Sequence, residues 1–192
     1  FVLTDKQIMK NRCEWAKDEP NITYHDKEWG RPQHNDQKLF EFLILEGAQA
    51  GLSWTTILKR RAGYRTAFSD FDALVVAKYT QKHVEKLLKD KSIIRNKLKI
   101  NSAINNAKQF LKIQEEFGSF DHYLWGFVDH KPIKNKFKKL SDLPASTEIS
   151  EKLSNDLKKR GFNFVGPTIC YALMQATGLV NDHTSKCFLY QK

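Results

Sequence analysis

Apolar positions along this chain recur every three or four residues, the period of helices, and no stretch of strand-like alternation or internal repeat interrupts them. Asn35 can cap a helix that covers Asp36 to about Gln49 and stops near Gly51. The next starts at Ser53 and runs through Ile57 and Leu58 toward Tyr64. Thr80 can cap another, with Val84, Leu87 and Leu88 on one face. A long helix spans roughly Lys97 to Phe117. Its apolar row is Ile100, Ala103, Ile104, Ala107, Phe110 and Leu111, and Gly118 closes it. A shorter helix covers Phe120 to Phe127.

Lys131 to Thr147 holds Pro132, Pro144 and a cluster of lysines, and reads as an exposed connection. Ile149, Leu153 and Leu157 then mark a helix ending at Gly161. A glycine-bracketed segment follows, Gly161-Phe162-Asn163-Phe164-Val165-Gly166, with Pro167 at the first position of a helix through Thr168 to Ala176. Gly178 ends that helix. The pattern predicts an all-α protein, one domain over residues 1–192, with a central bundle inserted between terminal segments and a cleft between them.

Composition narrows the class. With 192 residues, 41% hydrophobic and 28% charged, the chain can bury one good core. No apolar run approaches the ~20 residues of a membrane span. Phe1 to Asn11 carries Asp5, Lys6, Gln7 and Lys10 and has no apolar core, so no signal peptide is read there. Three cysteines are too few for a disulfide scaffold and fit a reducing cytoplasm. A net charge of +10 favours a phosphate-rich partner over a merely soluble surface, although the lysines are spread along the chain.

Three constellations carry candidate chemistry. Cys13 and His25 near the start, with His183 and Cys187 near the end, supply two thiolates and two imidazoles, the donor set of a structural tetrahedral zinc. The spacing of His183 and Cys187 predicts that both face one side of a single helical turn. The segment from Gly161 to Gly166 between two helices has the form of a helix-hairpin-helix, whose backbone N–H groups can hold a DNA phosphate. An ordinary helical hairpin packed by Phe162 and Phe164 fits the same pattern; Lys158, Lys159 and Arg160 beside it favour phosphate. Finally, Tyr24 and Trp54 could sandwich a flat ring, with Glu46 accepting from an exocyclic amine or facing a cationic ring. By themselves, aromatics near helix ends more often simply pack in a core.

Several of these runs together resemble the 3-methyladenine DNA glycosylase I family. They are Cys13-Glu14-Trp15, Tyr24-His25-Asp26-Lys27-Glu28-Trp29-Gly30, Leu45-Glu46-Gly47-Ala48-Gln49-Ala50-Gly51-Leu52-Ser53-Trp54, Ile93-Ile94-Arg95-Asn96, Arg160 to Gly166, and Leu179-Val180-Asn181-Asp182-His183. The resemblance covers about Arg12 to Cys187 in the right order; residues 1–11 fall outside it, with at most a short helix expected there. It implies a helix-hairpin-helix glycosylase fold and a base-excision repair enzyme that flips and hydrolytically releases 3-methyladenine from alkylated double-stranded DNA. Free 3-methyladenine is then the product, and the enzyme a monomer. Residue by residue, it implies Cys13, His25, His183 and Cys187 as structural zinc ligands, Glu46 as the base-recognising carboxylate, and Tyr24 and Trp54 as pocket aromatics. Gly51 and Leu52 match the loop that approaches the lesion, and Gly161, Phe162, Asn163, Phe164, Val165 and Gly166 the DNA-holding hairpin. Cys170 is expected to be core, and His34, His83, His122 and His130 to have ordinary roles. The rival readings are a non-catalytic module that binds DNA shape, and a zinc-stabilised protein whose aromatic pocket takes a small cation.

Overall fold

The computed structural model describes residues 10–191. The short helix considered before Arg12 lies mainly outside them. Among the described residues no helix is long and apolar enough to cross a membrane.

The organising element is α2 (Asp36–Gln49), buried without interruption from Leu39 to Ala48. A helix that is apolar nearly all round has no stable place except at the centre of others. Each of Leu39, Phe40, Phe42, Leu43 and Leu45 is almost wholly removed from water, which stabilises the fold by about 1.5–3 kcal/mol per side chain. Asn35 caps α2 by accepting from the Lys38 N–H, and Ser53 caps α3 (Trp54–Ala67) by accepting from Thr56. Further along come α4 (Ala73–Val76), α5 (Gln81–Leu87), α6 (Lys97–Phe117) and α7 (Phe120–Gly126). The row predicted for α6 is its buried face, except that Leu111 is only half-buried, and Gly118 closes the helix at φ 84°. The Asp36 carboxylate ties three helices together, accepting from Gln114 of α6 and from the Phe120 and Asp121 N–H groups that open α7.

After the loose connection, α8 (Glu148–Lys159) and α9 (Pro167–Ala176) pack on each other and α9 packs on α2. The predicted helices are thus present. Besides the four-residue α4, which no sequence pattern announced, three features depart from the sequence reading. A helix, α1 (Asn21–Lys27), carries Tyr24 and His25, and begins without any side-chain cap. Two strands of two residues, β1 (Ile133–Lys134) and β2 (Val180–Asn181), pair in parallel and fasten the connection to the C-terminal segment. His183 and Cys187 do not share a helical turn. The Asn181 side chain accepts from the His183 N–H, and the Cys187 N–H then bonds the Thr184 carbonyl, so local turn bonds replace the helical ladder there.

Candidate active site and metal cluster

Helix α2 buries two carboxylates, Glu41 and Glu46, five residues apart and with opposite fates. For Glu41, burial would raise the pKa. It is outweighed by hydrogen bonds and ion pairs from Arg61 (2.8 Å), Arg65 (2.7 Å) and Lys38 (2.9 Å), which hold the carboxyl at about 2. Arg61 also grips Glu28 with two hydrogen bonds of 2.8 Å, so this network joins the end of α1 to α2 and α3. Glu46 is 4% exposed. Among the described residues its carboxyl has no hydrogen bond or ion pair, and burial alone pushes it up to about 8.

Glu46 lines a cavity of about 250 Å³ with Trp15, Tyr24, Trp29, Gln49, Trp54, Leu140, Leu143, Ala172 and Gln175. Trp54, one of these lining residues, has a buried indole Nε1 without a hydrogen-bond partner among the described residues. An unmade bond of this kind costs about 1–3 kcal/mol, and an aromatic cavity lined by it and by the unpaired Glu46 carboxyl is the candidate place for a ligand. Tyr24 and Trp54 are together, but not as a sandwich. Their centroids are 5.3 Å apart and the planes tilt by 53°, whereas a ring between them needs about 7 Å, two van der Waals contacts. They form an angled wall, extended by Trp15, whose centroid is 6.2 Å from Tyr24 and 5.1 Å from Trp29. The sequence reading assigned no role to Trp15, Trp29, Gln49 or Gln175, although the first three stand in the quoted runs.

The loop of Gly51 and Leu52 joins α2 to α3, and Leu52 is 39% exposed. Lys99 of α6 fixes its start, donating to the carbonyls of Ala48 (2.8 Å) and Ala50 (2.6 Å). The hairpin lies against the same helix. Asn106 and the Asn163 backbone exchange two hydrogen bonds of 2.9 Å, and Asn105 donates to the Gly161 carbonyl at 2.7 Å. These asparagines were invisible to the sequence reading because they lie among the polar positions of an amphipathic helix. Phe162 and Val165 point into the core, so what they can offer a partner is backbone. Gly161 sits at φ 87°, a conformation that favours glycine. Gly166 has an ordinary φ of −64°, and a Cβ there would meet nothing within 4 Å. The fold therefore does not require glycine at 166; close approach by a partner would.

Near both chain ends, ligand atoms of Cys13, His25 and Cys187 lie within 4.8 Å of one another, all buried. His25 Nε2 is 3.4 Å from Cys187 Sγ, while its Nδ1–H donates to Asp26 at 2.8 Å. Arg12 grips Asp26 with two hydrogen bonds and, with His25, holds that carboxyl at about 2. A carboxylate behind a histidine fixes the ring so that its other nitrogen presents a lone pair. His183 stands beside this triplet, its ring centroid 4.9 Å from that of His25. Its Nδ1–H donates to Asn181 at 2.9 Å, and its buried Nε2 has no partner. Burial pushes His183 down to about 4, so the ring is neutral at pH 7. Cys170 is remote from the set and buried, its thiol donating to the Val165 carbonyl.

The family profile described as Methyladenine glycosylase matches residues 15–190. The chain is 48% identical over 180 residues to DNA-3-methyladenine glycosylase 1 of Escherichia coli (strain K12), covering 93% of this chain and 96% of that protein. It is 46% identical to DNA-3-methyladenine glycosylase of Haemophilus influenzae, covering 93% and 97%. A crystal structure of 3-methyladenine DNA glycosylase I superposes with a TM-score of 0.91 at 47% identity, over 94% of this chain and all of the other. The Staphylococcus aureus 3-methyladenine DNA glycosylase I, solved to explain 3-methyladenine recognition, does so at 0.91 and 35% identity, covering 95% and 98%. This chain belongs to the methyladenine glycosylase family.

Proposed function

We propose that this chain is a DNA-3-methyladenine glycosylase of base-excision repair, which extrudes 3-methyladenine from alkylated duplex DNA and releases it by hydrolysis. The observation that carries the reading is Glu46, a buried and unpartnered carboxyl in an aromatic cavity. With its pKa near 8, it is mostly protonated in the empty pocket at pH 7. Methylation at N3 gives adenine in DNA a positive charge. Entry of that ring offsets the cost of ionising Glu46, whereas neutral adenine offers nothing in return. The carboxylate then accepts from the exocyclic N–H, and Tyr24, Trp54 and Trp15 contact the electron-poor ring.

Duplex stacking hides the base, so capture requires extrusion. Gly51 and Leu52 are the residues we assign to the emptied site, and the backbone from Gly161 to Gly166 to the phosphate grip. The methylated base is already a good leaving group, so the enzyme has little need of strong acid catalysis. Water is the nucleophile. Asp182, the first aspartate after the hairpin, is buried and accepts from Asn135, Tyr171 and Gln175; we assign it a structural role.

Cys13, His25, Cys187 and the unpartnered Nε2 of His183 fit a structural zinc. Two sulfurs and two nitrogens fill a tetrahedron and leave no position for catalysis, so the metal's work is to hold the two ends of the domain together. The functional test is to incubate the protein with methylated DNA and chromatograph the released bases. We expect free 3-methyladenine from the wild type and little from Glu46→Ala, with fold and non-specific DNA affinity retained. Release by Glu46→Ala at the wild-type rate would sink the assignment.

A further inference from the structure

The run Ile93-Ile94-Arg95-Asn96 has no part in the cavity, the hairpin or the metal cluster. Its first three residues line, with Arg60, Leu88 and Lys91, a separate surface hollow of about 460 Å³. Three of its six lining side chains are cationic and none is acidic. Arg95 and Lys91 are exposed, and among the described residues neither head group has a hydrogen bond or ion pair. Arg60 spends one donor on the Lys91 carbonyl at 2.8 Å, which fixes the α3 side of the hollow against the turn before α6. Gly63 permits that approach, since a Cβ there would stand 2.5 Å from the Ser92 carbonyl oxygen. The neighbouring carboxylate, Asp90, is not among the lining side chains and accepts from the Ser92 N–H and hydroxyl.

Its place in the fold gives the hollow a direction. Arg95 is three residues before Leu98, so their Cα atoms lie within about 11 Å. Leu98 is 70% exposed and lines the groove that contains Asn163, Phe164 and Gly166. Lys99, the next residue, holds the loop of Gly51 and Leu52. The start of α6 therefore joins three surfaces: the hairpin groove, the exposed loop and this cationic hollow. Unpaired cations on an exposed surface repel one another and gain most from a polyanion.

We propose that Arg60, Lys91 and Arg95 form a second phosphodiester-binding site, which holds duplex backbone at a point apart from the hairpin. Two separated grips resist rotation of the duplex while a base is withdrawn from it; one grip leaves the duplex free to pivot. The site reads no sequence. This rests on the DNA-glycosylase reading, and the test separates the two.

The experiment measures affinity for an undamaged duplex across a salt series, comparing wild type, the double variant Lys91→Gln/Arg95→Gln, and Lys112→Gln as an exposed control on α6. Loss of two phosphate contacts should lower the slope of log affinity against log salt by about 1.8. The control should keep the wild-type slope, and free 3-methyladenine binding and melting temperature should not change in the double variant. A double variant with the wild-type slope overturns the second site, while salt-dependent wild-type affinity and free-base binding leave the glycosylase reading standing. Wild-type protein that binds neither duplex nor free base overturns both. Inorganic phosphate competes in a further arm. If wild type binds it, the double variant does not, and the duplex slope is unchanged, the hollow takes small anions and the proposal fails.

Discussion

Glu46→Gln should make the protein more resistant to unfolding as pH rises, while impairing it as an enzyme. The folded-state pKa is about 8, against an ordinary value of 4.5. The folded protein therefore binds the proton more tightly than the unfolded chain, the reverse of a salt-bridged carboxylate. Stability from this group is complete below pH 4.5 and is lost as pH rises toward 8. At about 1.4 kcal/mol per pH unit, the loss is about 2 kcal/mol at pH 6, about 3 at pH 7 and nearly 5 by pH 9. The amide does not titrate and escapes this loss, at a fixed cost of about 1–3 kcal/mol for placing its N–H groups without partners. The readout is the difference in unfolding free energy between variant and wild type, from urea titrations at pH 6, 7, 8 and 9. Other titrating groups are common to both proteins and cancel. The difference should move in the variant's favour by about 3 kcal/mol between pH 6 and pH 9. A difference that stays flat over that range would mean that Glu46 is already ionised and stabilised, and the account of lesion selectivity given above would fall with it.

Cys187→Ser should bind little zinc and melt at a lower temperature, whereas carefully purified wild type should carry about one zinc per chain, as four ligands filling one tetrahedron require; metal analysis and thermal melts decide it. Gly166→Leu should fold normally, since the space beside it is open, yet bind every duplex more weakly. Gly161→Ala should instead lower stability by about 1–2 kcal/mol through its left-handed backbone; paired melting and duplex-binding measurements distinguish the two glycines.

The helices that were legible in the sequence are those with explicit punctuation. Asn35 accepts from the N–H group it was expected to cap, and Ser53 and Asn96 do the same at helix starts read close to them. Gly118 and Pro167 also stand at the ends predicted for them. Helix α1 escaped notice because Pro20 provides no side-chain cap and seven residues are too few to establish a period. Its loss mattered, since it positions Tyr24 and His25. The cavity was legible only as fragments. Glu46 and Trp54 lie in one run, but Leu140, Leu143 and Gln175 reach it from the connection and from α9, and no local pattern links them. The pairing of Glu41 with Arg61 and Arg65 was equally hidden, because it depends on how α2 and α3 cross. The sequence reading therefore singled out Glu46 as a carboxylate near two aromatics, but had no means of contrasting it with Glu41.

Helix α6 works as a ruler. Lys99 at one mark clasps the start of the loop between α2 and α3, and Asn106 at another clasps the hairpin. Seven residues separate them, about two turns and roughly 10 Å of stiff rod. The reach between the hairpin and the loop that joins α2 to α3 is thus measured out by a single element instead of by summed loop lengths. One residue inserted between those marks would turn Asn106 by about 100° and carry it about 1.5 Å along the axis. The clasp on the hairpin would then miss, with every side chain of both sites still present.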